Sequence, residues 1–488
     1  MKIKTGRFLT ILAVMFLGLC MTTQAASSRS LEAPNGVTIE GVNVSGMSED
    51  EIEVWLTEYM KELANTEIIF DYDGITSYTY MPSEFALTWT NTDIIDEIFT
   101  YGTQGNVIER YKALKDLEIE GVAYTLEFSL DEEAIMLALT DIATAYDMEA
   151  ENYHLTRVNG EFSVVEGLTG YAMNITASCD AIMSYLSREW DREPATIALV
   201  VEVTEPLGSQ SELSSVQDVL GTFSSSAATS SSSRVGNITN GASLINGVTV
   251  YPGEEFDFQS FCSPYTIANG YYVGQAYSGG QVVDSIGGGI CQVSSTLYNA
   301  VLRAELEVTM RYNHSMIVSY VPISTDATLA ESAGKSFKFV NNLDTPIYIE
   351  AYVTSGKQIY VTIYGEEYRD ENRTIEYISE TLEVISPGAE IIYTDASLPI
   401  GYVDVNSAYT GYKSQLVKVV KIDGVEQSRE VVNTSNYSAV ARSATFGTAT
   451  DDPVKLEHLN AAISTGSIDH TINIMNTVLT WTTEEVTE

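Results

Sequence analysis

The chain has 488 residues, of which 44% are hydrophobic and 19% charged, as is typical of a soluble globular protein with several domains. It carries 67 Asp and Glu against 25 Lys and Arg, so its formal net charge is −42. A charge of this sign repels polyanions, which makes nucleic acid and a bare anionic lipid surface poor partners.

Residues 1–25 have the pattern of a secretory signal peptide. A start with three basic residues precedes an apolar stretch over 8–21, and small residues surround a cleavage position after Ala25. Cleavage predicts a protein that is secreted or held in the cell envelope, at the outer face of the cytoplasmic membrane. Two alternatives stay open: an uncleaved segment would be a membrane anchor, and Cys20 would be lipidated if the segment were a lipoprotein signal.

The next part of the chain predicts two related α+β lobes, 36–121 and 122–207. Short alternating strands and amphipathic helices recur in them in a similar order. Asn159 and Gly160 separate two alternating segments, which predicts a β-hairpin in the second lobe. The whole chain is therefore expected to be a multidomain α+β protein.

Four further segments follow in the sequence. Residues 208–233 are Ser-rich and nearly uncharged, and predict a linker or a loosely ordered entrance to the next domain. Residues 234–365 predict an α+β domain with a glycine loop, a helix and then antiparallel strands. Residues 366–447 predict a small β-rich module, and 448–488 an acidic, weakly structured tail with one helix around 456–463.

A candidate nucleophile lies in the third of these domains. Gly287, Gly288 and Gly289 end where a helical pattern begins, which places Cys291 at or near a helix N-terminus. The apolar face of this helix is predicted to contain Val293, Leu297, Val301 and Ala304. The helix dipole and unpaired N–H groups there favour an anion and lower the pKa of a thiol. The glycines would also let the backbone of a substrate approach closely.

A base and its orienting group follow further along the chain. His314, expected on a strand, and then Asp326 come after Cys291 in the order that papain-like and transglutaminase-like thiol enzymes use. Gln292, or the main-chain N–H of Cys291, is placed to polarise an acyl oxygen. Each residue also has a structural alternative: a packed thiol, a hydrogen-bonded histidine and a turn aspartate.

Cysteine and histidine usage limits the other chemistry. Without the signal peptide three cysteines remain, Cys179, Cys262 and Cys291, an odd number for an exported chain. A Cys262–Cys291 disulfide stays open as an alternative and would mask the nucleophile. The four histidines have no metal-ligand spacing beside cysteines or carboxylates, so we expect neither a metal site nor a cofactor.

Several motifs follow one another in a recognisable order. Residues 287–299 read GGGICQVSSTLYN, and they are followed by Asn313-His314-Ser315, Ser319-Tyr320-Val321-Pro322 and Asp326-Ala327-Thr328. This series closely resembles the VanW family, and the likeness extends from about residue 234 to about residue 355. Residues 36–47 and 101–106 resemble a peptidoglycan-binding domain that often precedes VanW segments.

The resemblance to the VanW family implies a Gram-positive cell-envelope protein that binds peptidoglycan and is related to accessory proteins of glycopeptide resistance. With Cys291, His314 and Asp326 it suggests a thiol-dependent acyl hydrolase or transferase acting on the murein stem peptide. We expect the substrate to meet Gly287, Gly288, Gly289, Gln292, Ser294 and Tyr320. Two alternatives stay open: a non-catalytic module that binds cell-wall peptide, and a purely structural surface protein.

Overall fold

A computed structural model of the protein describes residues 29–278 and 281–480, so the predicted signal peptide lies outside the described residues. The helices are α1 (Glu49–Leu63), α2 (Ile94–Thr100), α3 (Val107–Glu120), α4 (Glu132–Tyr146), α5 (Ile175–Ser184), α6 (Gln210–Leu213), α7 (Ser232–Ile245), α8 (Phe258–Cys262), α9 (Ile290–Arg303), α10 (Pro453–Ile463) and α11 (Ile468–Thr480). Within the described ranges, no helix combines the length and apolar character that crossing a bilayer requires.

The strands are short in the first third of the chain and long in the last. They are β1 (Val37–Ile39), β2 (Val42–Asn43), β3 (Ile68–Tyr72), β4 (Thr76–Tyr80), β5 (Thr88–Trp89), β6 (Val122–Tyr124), β7 (Phe128–Ser129), β8 (His154–Val158), β9 (Glu161–Val165), β10 (Gly170–Met173), β11 (Ala195–Ala198), β12 (Val201–Thr204), β13 (Asp218–Ser226), β14 (Thr249–Val250), β15 (Glu255–Asp257), β16 (Val273–Ser278), β17 (Gln281–Ile286), β18 (Glu307–Met310), β19 (Lys338–Val340), β20 (Ile347–Val353), β21 (Gln358–Gly365), β22 (Arg373–Ile385), β23 (Ile391–Pro399), β24 (Val403–Asn406), β25 (Gly411–Ile422), β26 (Val425–Tyr437) and β27 (Ser443–Ala449). Helices contain 30% of the residues and strands 34%, which confirms the α+β fold class.

The chain divides into two compact units. The first contains the described residues up to Glu149 together with Gly170–Thr204, and the second contains Ala150–Thr169 and the residues from Glu205 onward. The division is therefore discontinuous in sequence.

Strands from both predicted amino-terminal lobes pair with each other in the first unit. β1 runs parallel to β6, β3 runs parallel to β11, and β5 is antiparallel to β7. The expected division near residue 122 is thus corrected, because strands of two to five residues find their partners across it rather than within each lobe. The unit has one continuous core, which includes Ile52, Phe70, Ile98, Leu139 and Ile182.

The hairpin predicted at Asn159 and Gly160 forms between β8 and β9. Both turn residues have positive φ, 53° and 87°, as a two-residue hairpin turn requires. The hairpin belongs to the second unit, where Phe162 packs edge-on against the ring of Tyr348.

The central sheet of the second unit has the order β13-β21-β20-β14, and the buried helix α9 packs against it. The predicted Ser-rich linker is corrected here, because residues 218–226 form β13 and pair along most of β21. The serines have local roles: Ser225 shares a hydrogen bond with Thr296 of α9, and Ser231 caps α7. A Ser-rich composition therefore does not mark a linker in this chain.

The carboxyl-terminal part of the second unit contains two further sheets. Long antiparallel strands form the order β22-β25-β26, and β23-β27-β24 form the other. The expected weakly structured tail is corrected: α10 and α11 pack on the second sheet, with a core that contains Ala444, Phe446, Leu459, Ile468 and Met475. The predicted single helix over 456–463 lies within α10.

Candidate active site

Cys291 is the second residue of α9, so the prediction of a helix N-terminal thiol is confirmed. The predicted apolar residues Val293, Leu297, Val301 and Ala304 are fully buried, as are most other residues of α9. Cys291 itself is only partly buried, and its main-chain N–H is one of the donors for which the helix has no carbonyl partner.

The three glycines have steric roles inside the protein. Gly287 and Gly289 have φ of 80° and 112°, where side chains are strained. A Cβ at Gly288 would lie 2.4 Å from the carbonyl oxygen of Gly274, and one at Gly289 would lie 2.8 Å from Cγ of Arg234. The close backbone approach expected of a substrate at Gly288 is thus made by the strand β16.

The thiol of Cys291 lies beside residues 328–329. The main-chain N–H of Leu329 donates to Sγ at 3.5 Å, and the Thr328 hydroxyl oxygen lies 4.0 Å from it. The cysteines at 179, 262 and 291 are all free, so the alternative of a Cys262–Cys291 disulfide is not realised. The candidate nucleophile is unmasked.

His314 meets Asp326 through two hydrogen bonds. Its Nδ1 lies 2.7 Å from Oδ2 of Asp326, and its main-chain N–H donates to the same oxygen at 2.7 Å. The expected strand at His314 is corrected: β18 ends at Met310, and the His314 N–H is used by the carboxylate instead of a neighbouring strand. Nε2 is left facing the Tyr320 hydroxyl at 3.5 Å and the thiol of Cys291.

Asp326 is fully buried and accepts two more hydrogen bonds on its other oxygen. Arg311 donates from Nη2 at 2.9 Å, and the hydroxyl of Tyr437 donates at 2.5 Å. Four donors, three from side chains and one from the main chain of His314, therefore favour the ionised form of this carboxylate. Sequence reasoning missed both Arg311 and Tyr437.

The segment that carries Asp326 is joined to α9 by buried side chains. Ser294 donates to the Ala327 carbonyl at 2.6 Å, and Asn299 donates to the Thr325 carbonyl at 2.7 Å. Ser294 was expected to contact substrate, but its hydroxyl is fully buried and used in this way. It fixes the position of Asp326 relative to the helix that carries Cys291.

The electrostatics of the three residues are coupled. Burial alone would raise the pKa of Cys291, but the hydrogen bond and positive charge of His314, with the Leu329 N–H, hold it below its usual value. Burial would lower the pKa of His314, but Asp326 and Cys291 raise it to about 9. Burial opposes ionisation of Asp326, yet His314 and Arg311 keep its pKa low. The arrangement favours a thiolate–imidazolium pair.

A cavity of about 340 Å³ opens over Cys291 and His314. Its lining residues are mostly small and polar: Ser226, Thr229, Ser230, Ser231, Arg234, Gln275, Gly289, Cys291, Gln292, His314, Ser319, Tyr320, Thr328 and Leu329. The predicted substrate residues Gly289, Gln292 and Tyr320 are among them. The Gln292 amide is already engaged, because it donates to Ser225 and to the Ser226 carbonyl.

Two sequence families match the chain. The family described as "VanW like protein" matches residues 233–364, and the one described as "Putative peptidoglycan binding domain" matches residues 78–193. The first match contains all of Cys291, His314 and Asp326, and most of the second lies in the first compact unit. The two matches support a cell-wall-associated protein.

Curated relatives agree with the family matches. "Uncharacterized protein YoaR" of Bacillus subtilis is 33% identical over 211 residues, which are 43% of this chain and 68% of that protein. "Vancomycin B-type resistance protein VanW" of Enterococcus faecalis is 27% identical over 159 residues, which are 30% of this chain and 57% of that protein. The chain belongs to the VanW family, as its motifs indicated.

Solved structures match a small part of the chain. "IgA1 Protease G5 domain structure" is 27% identical, with 17% of this chain and 98% of that chain covered and a TM-score of 0.13. "Crystal structure of HP0197-G5" is 24% identical, with 15% and 95% covered and a TM-score of 0.10.

Proposed function

We propose that this chain is an exported envelope protein that binds peptidoglycan and acts as a thiol-dependent acyl hydrolase or transferase on the murein stem peptide. The observation that carries the proposal is the placement of Cys291 and His314 in the lining of one cavity, with the buried Asp326 bonded to Nδ1 of His314. The pKa of Cys291 is lowered and that of His314 is raised, which are the directions that favour a thiolate beside an imidazolium. Thiolate attack suits the amide bonds of that peptide.

The proposed reaction has two halves. The thiolate of Cys291 attacks the amide carbonyl carbon, a C–S bond forms, and the carbonyl oxygen becomes an oxyanion near the main-chain N–H of Cys291. The imidazolium of His314 then gives its Nε2 proton to the leaving nitrogen as the C–N bond breaks. Water or an acceptor amine attacks the thioester while Nε2 takes a proton from it, and the C–S bond breaks.

Asp326 stays ionised throughout this proposed cycle. Its Oδ2 accepts from Nδ1 of His314, which directs Nε2 toward the cavity and stabilises the imidazolium. The 2.5 Å contact from Tyr437 and the bond from Arg311 oppose its protonation.

The test is the capture of a thioester on Cys291. The mature protein is incubated with soluble muropeptides, and intact-mass and peptide mass spectrometry follow both substrate turnover and acyl adducts. We expect an acyl adduct on Cys291 in the native chain and no adduct in Cys291→Ala. In His314→Ala the adduct should live longer, or be absent if the attack of the thiol also depends on His314. The matched control, Cys179→Ala, removes a buried thiol of the other unit and keeps turnover.

The alternative is a module that binds cell-wall peptide without reacting. The match of residues 78–193 to a peptidoglycan-binding family is what favours it. Under this alternative Cys291→Ala and the native chain bind purified sacculi equally and neither turns over muropeptides.

A further inference from the structure

Arg234 is a cationic side chain that lines the cavity and is held in a fixed position. It lies in the first turn of α7, and its Nη1 donates to Gln292 Oε1 at 2.9 Å and to the Ser230 hydroxyl at 2.6 Å. Gln292 follows Cys291 in α9 and is itself fixed by Ser225. The guanidinium is thus anchored beside the candidate nucleophile.

No carboxylate neutralises this guanidinium in the part of the chain that the structure describes. No Asp or Glu oxygen lies within 4.0 Å of it there, and no acidic residue lines the cavity. The contrast with Arg311 and Arg373 is clear, since both form close ion pairs, with Asp326 and with Glu305. In a chain with 67 acidic residues, the lack of an acidic group here favours an incoming anion.

The unused edge of Arg234 suits a planar anion. Among the described residues no acceptor receives a hydrogen bond from its Nε or Nη2, and Ser319 lines the same cavity. The guanidinium also acts electrostatically on Tyr320, whose hydroxyl lies 3.5 Å from Nε2 of His314. Arg234 therefore faces the space that a substrate of Cys291 would occupy. Two parallel N–H donors match the two oxygens of a carboxylate.

We propose that Arg234 forms a carboxylate subsite, so that the peptide entering this cavity carries a free carboxylate close to the carbonyl that meets Cys291. The inference rests on the proposed function, for which it names the substrate class. The carboxylate has two sources in a stem peptide, its carboxyl terminus or the α-carboxylate of a γ-linked glutamate within it. Both have the same chemistry toward Arg234.

The experiment measures binding in the full mature chain with Cys291→Ala, in which no thioester can form. The probes are four acetylated peptides of sequence alanine–γ-glutamate–lysine–alanine–alanine: both carboxylates free, only the terminal one free, only the internal one free, and both amidated. Calorimetry gives the Kd of each. We expect at least one peptide with a free carboxylate to bind about tenfold more tightly than the doubly amidated one, and the single-carboxylate peptides identify the source.

Arg234 variants on the same background complete the test. Arg234→Gln should abolish the preference for the carboxylate and Arg234→Lys should keep part of it, because lysine supplies the charge without the planar fork. Arg188→Gln removes the same charge from an exposed arginine of the first unit and should keep the full preference. Equal binding of all four peptides, no binding of any, or a preference that survives Arg234→Gln overturns the subsite. If the peptides show the carboxylate preference but the native chain forms no thioester with muropeptides, the carboxylate subsite stands and only the proposed function is overturned.

Discussion

Asp326 shows how much of the site the sequence could predict at the scale of single residues. The order of Cys291, His314 and Asp326 along the chain indicated the three groups, and the structure brings them together. Arg311 and Tyr437 also bind Asp326, from 15 and 111 positions away. Nothing in the local pattern distinguishes Tyr437 from the other 29 tyrosines, because its role depends on how β26 packs.

Removal of the Tyr437 hydroxyl tests the support of this carboxylate. Tyr437→Phe deletes the bond to Asp326 and the acceptor for the Ser324 N–H, so we expect a loss of about 1–3 kcal/mol in the free energy of unfolding at pH 7. The pKa of Asp326 is lowered in the folded state, so its stabilisation is present above about pH 4 and is lost as pH falls through the folded pKa. The difference in the free energy of unfolding between the native chain and Tyr437→Phe should therefore become smaller below about pH 4.

Denaturant unfolding at several pH values measures this effect. Tyr412→Phe is the matched control, since Tyr412 pairs with Tyr437 across β25 and β26 and its hydroxyl makes no hydrogen bond within the described residues. An equal loss in both variants, or a loss that does not depend on pH, would contradict the role of Tyr437.

At the scale of elements, α9 was predicted well and its surroundings were not. The helix pattern depends on spacing within one segment, and the structure confirms the helix, which is buried on nearly all sides. The Ser-rich segment was taken for a linker because composition does not show that β21 provides a partner strand. The glycines were assigned to substrate because the sequence does not show that other parts of the protein, β16 at Gly288 and Arg234 at Gly289, pass against them.

Gly288 provides a prediction about this element. Gly288→Ala places a methyl group 2.4 Å from the Gly274 carbonyl, so the start of α9 must shift. We expect a loss of about 1–3 kcal/mol in the free energy of unfolding, together with slower alkylation of Cys291. Thermal unfolding and the rate of labelling by iodoacetamide measure the two effects.

Gly356→Ala is the matched control for Gly288→Ala. It also has no positive φ, and its Cβ would meet only the Thr354 side chain at an ordinary 3.7 Å. We expect it to change stability by less than about 1 kcal/mol. If Gly288→Ala behaves in the same way, the close approach of β16 does not hold the glycine turn.

At the scale of the whole molecule, chain order did not predict how the units are built. Local patterns gave several strands and helices of the first unit, but not α3 or the parallel pairs β1–β6 and β3–β11, which join distant segments. The hairpin at 154–165 was also recognised, yet its apolar side chains pack in the second unit. Long-range pairing of short strands leaves no periodic signal in one sequence.

This division predicts a smaller protein that keeps peptidoglycan binding. Met148 pairs with Tyr171, so the two chain ends left by removing residues 150–169 lie close together and a short Gly-Ser linker can join them. A chain of residues 29–149 and 170–204 joined in this way should fold and sediment with purified sacculi. If the shortened protein folds but does not bind sacculi, the binding surface lies in the second unit. The Ile52→Asp variant, with a charge in the core, is the unfolded control.

The most direct test of the account is the reactivity of Cys291 across pH. The mature chain is titrated with iodoacetamide, and labelling is assigned by mass spectrometry; Cys179 and Cys262 are buried and their pKa values are raised, that of Cys262 to about 12. We predict a fast reaction of Cys291 whose midpoint lies well below the usual thiol value of about 8.5 and moves upward in His314→Ala, because burial then acts without the imidazolium. A thiol that reacts only on unfolding, or a midpoint that does not depend on His314, would contradict the account and leave a packed cysteine in a binding module.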